Sequence, residues 1–206
     1  PVADSVIGYM LSFTRRLPWI HKAMKNGEWE KIPGRSLSEC TLGVVGVGNC
    51  GKAVIRRARA FGMRILGNDI VEIAPDFILE YGVEMTSLQD LLAQADFVSV
   101  NCDLNPTSYH LINAQTLGMM KPSAIVINVA RRPIAEEPAF IAVLQNKQIA
   151  GAALDVFEVE PLPLDSPLMK MDNVMLAPHN ANSSPAAWER VHRNTIRNLF
   201  IGLGIE

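Results

Sequence analysis

Three side chains suited to moving protons and holding anions, Arg131, Glu160 and His179, each follow a short apolar run in the second half of this chain. Arg131 closes Asn128-Val129-Ala130-Arg131. Glu160 stands in the stretch Gly151 to Pro161, and His179 ends Leu176-Ala177-Pro178-His179. A 2-oxo acid reduced by hydride needs such a set. Its carboxylate calls for a planar bidentate cation, which is Arg rather than Lys. Its carbonyl oxygen needs a proton as hydride arrives, and histidine, with an unperturbed pKa of ~6.5, can supply it near neutral pH. A carboxylate on the other ring nitrogen fixes the tautomer and favours the imidazolium. Each residue alone also has an ordinary explanation: a solvated strand-end arginine, a structural histidine, loop polarity. Their joint placement after apolar runs is what points to chemistry.

Such runs are positioned by a nucleotide-type fingerprint. Leu42 to Val54 reads as a buried strand, a glycine turn and the start of a helix, with Gly46, Gly48 and Gly51 in G-x-G-x-x-G spacing. Gly46 turns the chain sharply, Gly48 lets a pyrophosphate approach the backbone, and Gly51 lets the helix pack on the sheet. The free N–H groups and dipole at that helix start, where Asn49 and Cys50 lie, then face the anion. A second strand, Met63 to Asn68, ends in Asp69, eighteen residues after Gly51. An acid there accepts hydrogen bonds from the ribose hydroxyls and repels a 2′-phosphate, so the cofactor expected is NAD rather than NADP.

Strands are expected at 42–47, 63–68, 83–85, 97–102, 124–129, 149–154 and 174–177, and helices at 50–61, 75–81, 87–94, 113–119, 136–146 and 184–202. Short runs such as Phe97-Val98-Ser99-Val100 are apolar on both sides, which signals a parallel sheet between helix layers. The fold class is therefore α/β, a Rossmann doubly wound parallel sheet with helices on both faces. In such a sheet the ligand lies beyond the carboxyl ends of the strands. Before this alternation stand a helical pattern (Val6, Ile7, Met10, Leu11, Phe13) and a stretch from Pro18 to Ser38, expected to be an extended excursion whose Trp19 and Trp29 need burial. A terminal helix carrying Trp188, Val191, Ile196, Leu199 and Phe200 is expected to cover the sheet or a further domain.

Composition narrows the function classes. The 206 residues are 49% hydrophobic and carry 19 basic and 21 acidic side chains, a net charge of −2. That balance gives no electrostatic case for nucleic acid or anionic membrane as partner. No apolar run approaches the roughly 18 residues needed to span a bilayer. Cys40, Cys50 and Cys102 lack metal-ligand spacing and read as reduced thiols, consistent with a cytoplasmic protein.

These motifs, in this order, resemble the D-isomer-specific 2-hydroxyacid dehydrogenases over nearly the whole chain. Leu104 to Asn113 is similar to that family's Leu-Thr-Pro-Glu-Thr-x-His-Leu-Ile-Asn signature. Asn128–Arg131, Ala153–Pro161 and Pro178-His179 match its segments with the catalytic Arg, Glu and His. The resemblance implies an NAD-dependent oxidoreductase acting on a D-2-hydroxy or 2-oxo acid, of phosphoglycerate or hydroxypyruvate/glyoxylate type. It also implies that Asn101, Cys102 and Ala130 lie along the cofactor path and that Asp155 lies near the nicotinamide amide. Cys102 could equally be a small core residue, and Asp155 a cap on nearby backbone. Residues 1–206 would be the coenzyme domain, with 1–38 as an N-terminal helix and homodimer-type excursion. The substrate-binding domain would be absent, so that this piece binds NAD but turns over poorly. A non-enzymatic, NAD-sensing, corepressor-like module is the alternative, to which the intact Arg131, Glu160 and His179 are unnecessary. The chain departs from the family pattern at Arg132-Pro133, where Gly usually follows the Arg, at Glu136-Glu137, at Asn180-Ala181-Asn182 and at Glu39-Cys40.

Overall fold

Strands that are apolar on both faces need cover on both faces, and the architecture supplies it. The computed structural model describes residues 1–205. Strands β1 (Thr41–Val45), β2 (Arg64–Asn68), β3 (Val83–Met85), β4 (Phe97–Val100), β5 (Ile125–Asn128), β6 (Gly151–Leu154) and β7 (Val174–Leu176) form one parallel sheet in the order β3-β2-β1-β4-β5-β6-β7. The helices are α1 (Val2–Thr14), α2 (Leu17–Lys25), α3 (Asn49–Ala60), α4 (Pro75–Tyr81), α5 (Leu88–Gln94), α6 (Ala114–Leu117), α7 (Glu137–Gln145) and α8 (Pro185–Gly202). The two-residue period of the strands divides the core. Leu42, Val44, Ile65, Phe97 and Ile127 pack with Val6, Met10, Val54, Ile55 and Phe77 of α1, α3 and α4. Val45, Leu66, Val98, Val100 and Val126 pack with Leu91, Leu92, Leu117, Phe140 and Leu144 of α5, α6 and α7. This is the doubly wound Rossmann arrangement expected, and its order reverses between β1 and β4, opening a crevice at their carboxyl ends.

Four strands, β1, β4, β5 and β7, end one or two residues short of the expected bounds, while β2, β3 and β6 end where expected. β1 stops at Val45 because Gly46 turns away, and β4 stops at Val100, leaving Asn101 and Cys102 in the crevice. The α1 helix buries Ala3, Val6, Ile7, Met10 and Phe13, one face at helical spacing, against α3, with Asp4 bonded to Arg57 at 2.6 Å. That apolar face is satisfied within the chain.

One expectation fails. The stretch from Pro18 is not extended throughout: residues 17–25 form α2, because Pro18 sits in its first turn, where no N–H is needed. Gly27, at φ 84°, ends the turn after it. Trp19 packs on Phe13 and donates its Nε1 to the Asp172 carbonyl at 3.1 Å, but Trp29 is 86% exposed rather than buried. Of the two covers expected for α8, the sheet is not used: none of its described residues is buried, and Trp188, Val191, Ile196, Leu199 and Phe200 all face outward.

The segment between α2 and β1 is tied down by Asp96, 8% exposed, at the start of β4. Its carboxylate accepts from the Thr41 N–H at 2.8 Å and lies 3.4 Å from both Arg35 Nη1 and Lys121 Nζ. Burial pushes its pKa up, but the Thr41 N–H and the two cations outweigh it and hold the carboxyl below its ordinary value. A folded-state pKa below the unfolded one adds stability above the ordinary carboxylate range, and that stability is lost as pH falls through the folded value. Asp96→Asn is therefore expected to cost about 2 kcal/mol at neutral pH. In urea melts across a pH series, its deficit against the native chain should shrink as pH falls below the ordinary carboxylate range and through the lowered folded-state value.

Candidate active site

The crevice begins with the glycine loop. Gly46 leaves β1 at φ 90°, and a Cβ there would lie 2.5 Å from the Cys102 nitrogen. At Gly51 a Cβ would lie 2.0 Å from the Gly46 carbonyl oxygen, so only glycine lets α3 start this close to the loop. Gly48, the N-cap of α3, has nothing within 4 Å of where a Cβ would stand. The loop is thus closed on its protein side and open toward the crevice. Asp69, just past β2, accepts from the Val47 N–H at 2.6 Å and the Val71 N–H at 3.1 Å. It braces the loop, and each carboxylate oxygen keeps acceptor capacity. These groups line a cavity of about 490 Å³ together with Asn49, Cys50, Asn101 and Cys102. Asn101 donates its Nδ2 to the carbonyl and hydroxyl of Ser99, both at 3.0 Å, while its buried Oδ1 has no partner among the described residues. Burial pushes the Cys102 thiol up to about 11, so it stays protonated at neutral pH.

A second cavity of about 460 Å³ shares Cys50, Asn101 and Cys102 with the first and runs on to Ala130, Arg131, Asp155 and His179. The ends of β1, β2, β4, β5, β6 and β7 therefore converge on one crevice. Arg131 is exposed, donates Nη1 to the Ala130 carbonyl at 2.7 Å, and pairs with no carboxylate among the described residues. Ala130 is set by the Asn128 side chain, whose Oδ1 accepts its N–H at 3.1 Å. His179 Nδ1 lies 3.1 Å from Glu160 Oε2, and Glu160 Oε1 accepts from the Phe157 N–H at 3.0 Å. The His179 hydrogen bond, then the Phe157 N–H and the charge of Arg132, hold the Glu160 carboxyl below its ordinary range. With Nδ1 engaged by Glu160, Nε2 is the nitrogen left for other partners. On the Glu160 side the pair borders a separate hollow of about 590 Å³, walled by Phe157, Leu162, Met169 and Leu176.

His179 has a left-handed backbone, φ 53°, which costs a non-glycine residue of order 1 kcal/mol and persists only where the surroundings hold it. Asp155 does the holding. Its carboxylate, on a residue 1% exposed, accepts from the Asn180 N–H at 2.7 Å and the Ala181 N–H at 2.9 Å. Of the two readings open from sequence, the backbone cap is the contact present. Asn128 and Ser99 were missed as supports. The signal for both was a polar residue inside an otherwise apolar strand run.

The comparisons fit this geometry. The profile of the D-isomer specific 2-hydroxyacid dehydrogenase NAD binding domain matches residues 7–181, and the chain belongs to that family. It is 40% identical over 205 residues to a glyoxylate reductase of Thermofilum pendens, covering 97% of this chain and 60% of that protein. The chain thus spans about 60% of the length of that curated relative. It superposes with a TM-score of 0.90 and 28% identity on D-lactate dehydrogenase from Aquifex aeolicus complexed with NAD and lactic acid, over 98% of this chain and 66% of the other. A D-isomer specific 2-hydroxyacid dehydrogenase from Xanthobacter autotrophicus Py2, in complex with NADPH and MES, gives 0.84 and 34% identity over 98% and 83%.

The residues present fit a dinucleotide: open space at Gly48, a closed floor at Gly46 and Gly51, and an orphaned Asn101 oxygen in the wall. Two substitutions separate floor from mouth. Gly48→Ala should leave the melting temperature unchanged but weaken NAD binding in calorimetry. Gly51→Ala should lower stability by about 2 kcal/mol or more through overpacking before any cofactor is added.

Proposed function

We propose that this chain is the coenzyme domain of an NAD-dependent D-2-hydroxyacid dehydrogenase acting on a small 2-oxo acid of the glyoxylate or hydroxypyruvate type. The observation that carries the reading is the His179–Glu160 pair at 3.1 Å, in one crevice with Arg131 beside the glycine loop. The loop from Gly46 to Gly51, with Asn49 and Cys50 at the start of α3, holds the pyrophosphate on backbone N–H groups. Asp69 accepts from the adenosine ribose hydroxyls, and Asn101, Cys102, Ala130 and Asp155 wall the path to the nicotinamide. Ile70, Val71 and Glu72 follow Asp69 and offer no cation to a 2′-phosphate, which favours NAD over NADP. When bound, NAD supplies or accepts the hydride at the substrate C2.

The chain's own residues do the rest. Arg131 grips the substrate carboxylate with its fork of donors and polarises the adjoining carbonyl. His179 gives a proton from Nε2 to the carbonyl oxygen in reduction and takes it back in oxidation. Glu160 keeps the ring oriented through Nδ1 and stabilises its charged form. The phosphoglycerate type of substrate shares this chemistry at C1 and C2.

The domain assignment, residues 1–206 as coenzyme domain with the substrate-binding domain outside this chain, rests on the 60% span. A homodimer is supported by the outward side chains of Leu17, Met24 and Trp29 on α2 and the segment after it. Three free cysteines and, among the described residues, no helix long and apolar enough to cross a membrane support a cytoplasmic location.

The test joins binding to turnover. His179→Ala should leave NAD affinity by calorimetry unchanged. In the full-length enzyme it should lower glyoxylate or hydroxypyruvate reduction by roughly 10²–10⁴-fold. Unchanged turnover would refute the assignment. Asp69→Ser should weaken NAD and narrow its preference over NADP by about tenfold, about 1.4 kcal/mol.

A further inference from the structure

The departure at Arg132 and the pair Glu137 and Glu158 have no role in the chemistry above, yet they meet beside it. Glu158 Oε1 accepts the Glu137 N–H at 3.2 Å, and Glu137 Oε2 accepts the Glu158 N–H at 2.8 Å. The clasp is reciprocal: each carboxylate takes the backbone donor of the other residue. The Glu137 N–H is a free donor in the first turn of α7, where the helix dipole also favours a carboxylate. Arg132 lines the same small hollow as both. The clasp joins two loops that have no strand ladder between them. One runs from Arg131 to the start of α7. The other runs from Asp155 to Glu160, and its Phe157 N–H and Glu160 carboxylate are already bonded to each other.

We propose that Glu158, clasped to the start of α7, is a positioning residue for Glu160, holding its carboxylate on Nδ1 of His179. Glu158 anchors the loop two residues before Glu160. The positive charge of Arg132 acts on Glu160 separately, as one of the influences that hold its carboxyl below the ordinary range. The geometry links the spacing of the Arg131 segment to the Glu160 loop, so both reacting-side groups are set from one point. The inference rests on Glu160 and His179 being the working pair.

The test follows the Glu160 carboxyl carbon by NMR through an acid titration of the labelled chain without cofactor. Glu158→Ala removes a negative charge, which by charge alone would move the Glu160 titration down. Loss of positioning moves it up, toward the ordinary carboxylate range, and that upward move is the expected result. Glu158→Gln, which keeps an acceptor oxygen for the Glu137 N–H, should show no upward move. In the full-length enzyme Glu158→Ala should lower kcat about tenfold to a hundredfold with KM for NAD unchanged. A Glu160 titration that stays put or falls in Glu158→Ala overturns the proposal. If Glu158→Ala does not fold, Glu137→Ala, which removes the other half of the clasp and likewise a negative charge, decides by the same sign: an upward move supports the proposal and its absence overturns it. Full turnover in Glu160→Gln would instead overturn the pairing on which the inference rests, with the titration results unaffected.

Discussion

The contact between Gly51 and the Gly46 carbonyl is the constraint on which the site depends. A single methyl group at residue 51 would stand 2.0 Å from that oxygen. Without this approach α3 could not begin where it does. Its free N–H groups would not face the crevice, and Gly48 would not open onto it. The strand order reverses between β1 and β4 at this place, so the loop after β1 and Asn101-Cys102 after β4 become the two lips of one opening. The site follows from a backbone-to-backbone distance before any reactive side chain is considered.

Beyond the strand ends there is no ladder to hold the chain, and carboxylates take over that task. Asp69 bonds Val47 and Val71, Asp155 bonds Asn180 and Ala181, Glu160 bonds Phe157, and Glu158 bonds Glu137. An ionised carboxylate receiving backbone N–H groups makes charge-assisted bonds, roughly twice as strong as neutral ones. This accounts for the left-handed backbone at His179: the strain is local and the two Asp155 bonds next to it outweigh it. It also places acidic residues around the crevice while leaving Arg131 without a carboxylate partner among the described residues, ready for an external anion.

The doubly wound fold was legible in the sequence because its signals are local. Apolar runs such as Val98 to Val100 and Ile125 to Ile127, the glycine spacing at 46–51 and the acid at 69 each reflect one turn, one strand or one packing contact. The convergence of Arg131, Glu160 and His179 was legible too, since strand ends in a parallel sheet share an edge. The Pro18 stretch was misread because proline stops a helix in its interior but not in its first turn, and only the partners of the neighbouring N–H groups tell these apart. For α8 the sequence left two covers open, the sheet or a further domain, because an amphipathic pattern says that a helix has an apolar face, not what lies against it.

By itself, the sequence determined the order of elements, the two-sided burial of the sheet and the residue types available for hydride chemistry, because periodicity and backbone permissiveness are properties of short segments. The tertiary structure decided which carboxylate does which job. Asp155 and Glu160 are five residues apart and chemically alike, yet one is sealed against backbone N–H groups and the other lies on the imidazole of His179. Their roles differ because contacts between β6 and the loop after β7 join residues about twenty apart in the chain, and such contacts exist only once the sheet has brought the two strands side by side.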